Sequence, residues 1–371
     1  MRIAINQPQL GSEEAQAVTA VLSGGQLVMG ERVRDFERAF ASFQGSTHGI
    51  ATSSGTTALT AALLAHGVGP GDEVILPAFT FFATASAVLA VGARPRFADI
   101  DPESYTLSAQ AIAQALTPRT RAVIVVHLYG QLADMKPIAE LCNSRRLILI
   151  EDAAQAHGAE FRCSAATEPS VSDGEPSSAQ FAGAWGTACF SFHPSKNLTT
   201  TEGGMVLTRD TEFAARLRQV RNQGRDSSGL HGSVGFNFRM SEVCAAIGVE
   251  QLKKLPKWLS QRRQNARYYD ERLAAVGRPW TRPGNTPAFQ LYTIRSAKRD
   301  TLLLELRRAG VDARVYYSPG LHRQPALHEF GRDAELPETD RAAAQVLSLP
   351  VHPGVSPEGL SEICELVERY G

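Results

Sequence analysis

Between residues 50 and 208, short β-branched and aliphatic runs alternate with longer stretches whose apolar positions recur at helical spacing. The runs at 72–76, 96–100, 122–128, 147–150, 188–192 and 205–208 are predicted strands. Two of them contain AVIVVHL and LILI, apolar throughout rather than alternating, as central parallel strands covered on both faces require. The alternation predicts an α/β domain with a mostly parallel central sheet covered by helices.

From Ser241 the pattern changes. EVCAAIGVEQLKKL reads as a helix stopped by Pro256, and KWLSQRRQNARYYDERLAAV as a second long helix. Beyond the Pro/Gly-rich GRPWTRPGNTP, the segments FQLYTIRS, TLLLELRRAG and VDARVYY predict a strand, a helix and a strand. The chain thus divides into a large domain, residues 1–250, and a small C-terminal α+β domain, residues 251–371. Residues 163–180, CSAATEPSVSDGEPSSAQ, are rich in Ser, Ala, Pro and acidic residues, a composition that predicts a mobile surface insertion, with a lid over a site as the functional alternative.

At 371 residues the chain can hold two domains and a core that needs no metal or disulfide staple. Lys plus Arg number 38 and Asp plus Glu 38, a net charge of zero that gives no reason to expect a nucleic-acid or membrane partner. Neutrality also permits close self-association. No apolar run approaches the roughly 18 residues that span a bilayer, and MRIAINQPQL lacks a signal-peptide layout, so a cytoplasmic protein is expected. The five cysteines are irregularly spaced and the nine histidines contain no H-E-x-x-H, so metal chemistry is not expected.

In an open parallel sheet, ligands collect beyond the carboxyl ends of the strands, and three such ends carry candidate chemistry. ATSSGTTALTAALLAHG sets Ser53, Ser54, Gly55, Thr56 and Thr57 before a helical stretch, either as an anion cradle or as a plain N-cap. LILIEDAAQAHG ends a strand with Glu151 and Asp152, followed by Gln155; a carboxylate there can hold a cationic ring nitrogen, bind metal or cap a helix. ACFSFHPSKNLTTTEGG follows a strand with Ser191, His193 and Lys196, an amine that can react with an aldehyde or simply sit in a surface loop. Together, cradle, carboxylate and amine match the phosphate, pyridine nitrogen and aldehyde of pyridoxal 5'-phosphate.

With these residues in view the chain resembles the DegT/DnrJ family of pyridoxal-phosphate-dependent sugar aminotransferases, which adopt the aspartate aminotransferase type of fold (fold type I). The resemblance runs through GERVRDFERAFASFQG, SSGTTAL, GVGPGDEVILPAFTFFATASAVLAVGARPRFADID, TRAVIVVHLYGQLADM, EDAAQAHGA, SFHPSKNLTTTEGGM, GFNFRMSEVCAAIGVEQL and LSLPVHP, about nine tenths of the chain. The 163–180 insertion departs from the pattern, as does Thr201, which stands where many members have Gly.

The resemblance implies that Lys196 binds the cofactor aldehyde and shuttles a proton, that Asp152 holds the pyridine nitrogen protonated and that Gln155 contacts the ring hydroxyl. It also implies that Phe81 stacks on the ring, that Gly55, Thr56 and Ser191 contact the phosphate, and that Asn237 reaches the phosphate from a neighbouring subunit, which makes the protein a homodimer with shared active sites. The implied reaction moves an amino group from L-glutamate to a keto sugar carried on a nucleotide. The Lys loop, with His193 and TTTEGGM, resembles members that act on 4-keto sugars. Related enzymes act on cyclitols or amino-benzoate precursors, and a cofactor-binding regulator without turnover is a further alternative; relatives that dehydrate sugars carry His in place of the Lys.

Overall fold

The central feature is a seven-stranded sheet built from β1 (His48–Thr52), β2 (Glu73–Pro77), β3 (Arg94–Ala98), β4 (Thr120–Val126) and β5 (Ile148–Asp152), completed after an excursion. That excursion is β6 (Glu160–Phe161) and β7 (Gln180–Phe181), which pair with each other before β8 (Thr187–Ser191) and β9 (Gly204–Thr208) return to the sheet. The computed structural model describes residues 2–162 and 179–371; residues 163–178, with the mobility and lid expectations attached to them, lie outside the described residues. Strand order is β1-β9-β8-β5-β4-β2-β3. Only β9 runs against its neighbours.

Among the described residues, eight α-helices belong to this part of the chain, with α1 packing on α8: α1 (Ser12–Gly24), α2 (Glu31–Phe43), α3 (Gly55–Ala65), α4 (Phe82–Ala90), α5 (Ala109–Ala115), α6 (Met135–Arg145), α7 (Thr211–Arg221) and α8 (Glu242–Arg272). The apolar run of β4 shows why both faces are covered. Ile124 packs among residues of α3, α4 and α7, whereas Val123 and Val125 pack with Ile112 of α5 and Ile138 of α6. Each such fully buried aliphatic side chain stabilises the fold by about 1.5–3 kcal/mol, which fixes this segment as a central strand.

The C-terminal part pairs β11 (Tyr292–Arg295) with β12 (Val346–Leu349), while β10 (Asn285–Thr286) joins β6. Helices α9 (Arg299–Arg308), α10 (His328–Gly331), α11 (Pro337–Gln345) and α12 (Pro357–Tyr370) complete it, and a separate core gathers Leu302, Leu306, Leu347, Ile363 and Val367.

Two expectations are corrected. Pro256 does not stop a helix, because it lies inside α8, which is 31 residues long in all. A helical proline costs about 3 kcal/mol, and the buried Leu255, Leu259, Ala266 and Tyr269 on the same helix outweigh it. Residue 250 therefore lies inside a helix whose first half packs with α1 and α2 and whose last turns enter the C-terminal core. VDARVYY is not a strand; it makes only isolated bridges, Val311 with Ile3 and Arg314 with Ser348, before Tyr316 and Tyr317 turn away towards the carboxyl ends of the sheet strands.

Candidate functional site

The carboxyl ends of β1, β2, β4, β5 and β8 open into a cavity of about 390 Å³. Gly55, Thr56, Phe81, Asp152, Gln155, Ser191 and Lys196 all line it. A larger cleft of about 530 Å³ lies on the far side of Leu291, and none of these seven residues lines it.

At the start of α3, both readings of the Ser/Thr cluster hold. Ser54 is the N-cap, its Oγ accepting from the Thr57 amide at 3.1 Å while its own amide donates to Thr57 Oγ1 at 2.9 Å. The first amides of a helix have no partner within it, so those of Gly55 and Thr56 remain for an anion. A Cβ on Gly55 would lie 2.6 Å from Cβ of Ser191, so only glycine lets α3 approach β8 this closely.

Strand alternation separates the two acids at the end of β5. Glu151 is fully buried and committed to the fold: Oε2 accepts from His127 Nε2 at 2.9 Å and from the Gly183 amide at 3.0 Å, and Oε1 from the Gly186 amide at 2.9 Å. Because His127 Nδ1 accepts from the Ala133 amide, its proton is assigned to Nε2. Asp152 instead faces the cavity. Its Oδ2 accepts from Thr84 Oγ1 at 2.8 Å and its Oδ1 from the Ala154 amide at 3.2 Å, which leaves acceptor capacity on both oxygens. Burial raises its pKa, opposed by these hydrogen bonds and by the Lys196 charge.

Gln155 is oriented by its two bonds, Oε1 accepting from the Tyr129 amide at 2.6 Å and Nε2 donating to Tyr317 Oη at 2.9 Å. Lys196 is half-buried, and burial lowers the pKa of its ammonium while Asp152 opposes the shift. A lowered pKa puts more of the amine in its nucleophilic form at neutral pH. Phe81 is 58% exposed, with its ring 5.9 Å from that of Tyr317. His193 also lines the cavity, its Nδ1 accepting from the Ser195 amide. Thr201 keeps the left-handed backbone a glycine would supply, at φ 70°, with its amide on Thr199 Oγ1 at 3.0 Å.

Asn237 stands apart from this group. It is exposed, forms a bridge with Asn222 and does not line the cavity of its own chain. Sequence reasoning missed Thr84, Thr80, Arg314 and Asn6 as lining residues, and Tyr317 as the partner of Gln155. Thr84 had a usable signal, a hydroxyl in the first turn of the largely apolar helix α4, with Thr80 four residues before it in the preceding loop.

The profile of the DegT/DnrJ/EryC1/StrS aminotransferase family matches residues 8–368. Similar curated proteins include a pleiotropic regulatory protein of Geobacillus stearothermophilus, 38% identical over 98% of this chain and 95% of that one. GDP-perosamine synthase of Caulobacter vibrioides is 35% identical over 99% and 98% of the two chains, and a dTDP-3-amino-3,4,6-trideoxy-alpha-D-glucose transaminase of Streptomyces venezuelae 37% over 98% and 93%. Among solved structures, DesV of S. venezuelae in complex with a ketimine intermediate superposes with a TM-score of 0.89 at 36% identity, covering 97% of this chain and 94% of that one. 3-Amino-5-hydroxybenzoic acid synthase superposes with a TM-score of 0.88 at 28% identity, covering 98% and 97%. The mostly parallel sheet with its surrounding helices is the type I fold of pyridoxal-phosphate-dependent transferases, as the resemblance implied. Fold, cavity and near-complete coverage agree, and the chain belongs to the DegT/DnrJ/EryC1/StrS aminotransferase family.

Proposed function

We propose that this cavity holds pyridoxal 5'-phosphate and that the protein moves an amino group from L-glutamate to a nucleotide-linked keto sugar, at the 4-keto position. The observation that carries the reading is that Lys196, Asp152 and the amino end of α3 face one cavity. Relatives named for amination at carbon 3 stand at 36–37% identity, so carbon 4 rests on the Lys196 loop alone.

The residues present fit the cofactor. Bound there, it would supply an aldehyde to carry the amino group and a ring that draws electrons from the carbon losing its proton. Gly55, Thr56 and Ser191 would hold the phosphate at the helix end. The buried Asp152 carboxylate would accept from the ring nitrogen, a charge-assisted bond of about 1.5–3 kcal/mol whose partner relieves the burial penalty on that charge. Gln155 Nε2 keeps one hydrogen free for the ring hydroxyl. Phe81 would cover one ring face, and the Lys196 amine would move the proton at the reacting carbon.

We further propose a homodimer in which Asn237 of one copy completes the site of the other. Its exposure, beside exposed Leu230, Val234 and Phe236 on the same segment, supports this. Action in the cytoplasm belongs to the same reading; among the described residues no helix is long and apolar enough to cross a membrane.

The test is the visible absorbance of the purified protein with added pyridoxal phosphate, before and after L-glutamate, beside Lys196→Ala. A band that glutamate removes and that the variant never forms is expected. No band in the wild type would overturn the reading, and a band that no amino donor alters would point to a regulator.

A further inference from the structure

We infer that Arg314 determines donor specificity by receiving a carboxylate of the amino donor, an inference that rests on the aminotransferase reading above. Among the described residues lining the catalytic cavity, Arg314 is the only guanidinium. Lys196 is the other full cation there, and the reaction commits its amine to the cofactor. An entering dicarboxylate also meets two acids in the lining, Asp152 and Glu202, so a fixed positive group is needed to offset them.

Arg314 is built for that task. Asp312 holds one edge of the guanidinium, with Nε donating to Oδ1 at 3.0 Å and to Oδ2 at 3.1 Å, and Nη2 to Oδ2 at 2.9 Å. That side-on grip leaves Nη1 outside the Asp312 pair, and Tyr316 is a further side-chain hydrogen-bond partner of the guanidinium, so an entering carboxylate would meet the fork of N–H groups beside the Tyr316 hydroxyl. Asp312 is itself largely buried and tied to the chain start, accepting from the Ile5 amide at 3.4 Å. The Arg314 side chain remains half exposed, which gives a ligand access and makes its replacement compatible with folding. The single bridge between Arg314 and Ser348 fixes the backbone from which it reaches, immediately before Tyr316 and Tyr317 enter the same cavity.

The experiment compares wild type, Arg314→Gln and Arg314→Lys, each loaded with pyridoxal phosphate. Calorimetry with glutarate, a dicarboxylate that cannot donate an amino group, reads binding without turnover. Absorbance changes at graded L-glutamate read half-saturation and maximal rate separately. Losing one charge-assisted pair is expected to weaken glutarate binding and raise glutamate half-saturation about tenfold to hundredfold in Arg314→Gln. The maximal rate should change less than about threefold, because the interaction is equal before and during reaction. Arg314→Lys should recover part of the binding, keeping the charge but not the fork. If wild type responds to glutamate and Arg314→Gln keeps both values within about twofold, this inference alone is overturned. Weakened binding of UDP, GDP or dTDP with unchanged glutarate binding would assign Arg314 to the acceptor's phosphates and overturn it as well. A wild type unresponsive to glutamate overturns the aminotransferase reading beneath it.

Discussion

Replacing Gly55 by alanine adds one methyl group where the start of α3 meets the end of β8. The new Cβ would lie 2.6 Å from Ser191 Cβ, 3.1 Å from its Oγ and 3.3 Å from its Cα. Carbon atoms rest at about 3.5–4.0 Å, so helix and strand must part by about 1 Å. Overpacking of this kind costs about 1–3 kcal/mol, and the lost flexibility of the unfolded chain returns about 0.4–1. The net destabilisation is then about 1–2 kcal/mol, small enough to leave a folded protein. The functional effect is expected to be larger, because the displaced amides are the proposed phosphate seat and a 1 Å misplacement can cost about a hundredfold in rate. Urea unfolding of the cofactor-free protein reads the first number, and pyridoxal phosphate titration with turnover reads the second. A compensating Ser191→Gly removes the 2.6 Å and 3.1 Å contacts and leaves only the 3.3 Å approach to Cα, so the double variant should recover most of the stability. A double variant no more stable than Gly55→Ala would refute the packing argument, and unaltered cofactor affinity in the single variant would refute the assignment of the cradle.

Three further outcomes are expected. Thr84→Val removes the side-chain donor to Asp152 Oδ2 and raises the carboxyl pKa further, so the acid limb of the activity profile should move up by about 1–2 pH units; an unmoved limb would show that Asp152 is not the group that must be charged. Burial holds the imidazoles of His157 and His352 down at about 3 and about 4. Since both sit below the unfolded value of 6.5, their stabilising contribution is complete above about pH 6.5 and is lost as pH falls towards 4, roughly 3 kcal/mol each. His157→Leu should flatten this loss in urea titrations at graded pH, and an equally steep loss in the variant would contradict it. Finally, Lys196→Ala and Asn237→Ala chains, each inactive, should regain about a quarter of wild-type activity when refolded together, because half of the dimers are hybrids with one intact site; no recovery would place Asn237 outside the partner's site.

Much of this architecture is legible in the amino-acid sequence. The six predicted sheet strands fall within two residues of those observed, because apolar runs buried on both faces leave little ambiguity. Strand β1 is not, since HGIAT is short and carries Gly49, which is required because a Cβ there would lie 2.6 Å from the Glu37 carbonyl oxygen. Edge strand β3 begins two residues before its predicted start, at Arg94, since Arg94, Pro95 and Arg96 show a sequence reader charges and a proline rather than a core. Pro256 misled for a different reason: propensity is local, and the packing that overrides it joins α8 to α1 and α2 far away in sequence. In the cavity, Lys196, Asp152 and Gln155 follow strand ends that the sequence marks, whereas the separate duties of Glu151 and Asp152 needed the faces of β5 to be known. Arg314 looked like a residue within a strand because its pairing with Ser348 is real but lasts for one bridge.

The short pair β6 and β7 has a consequence for how β5 is used. Phe161 faces Gln180 and Glu160 faces Phe181, so the chain departs and returns through adjacent rungs about 5 Å apart. The returning strand is then moored by Glu151, which receives the Gly183 and Gly186 amides from the opposite side of β5 to Asp152. The stem that β6 and β7 form is thereby anchored without using any side chain that lines the cavity. β5 thus works as a partition: Glu151 on one face holds the exit of this stem, and Asp152 on the other is left to the cavity.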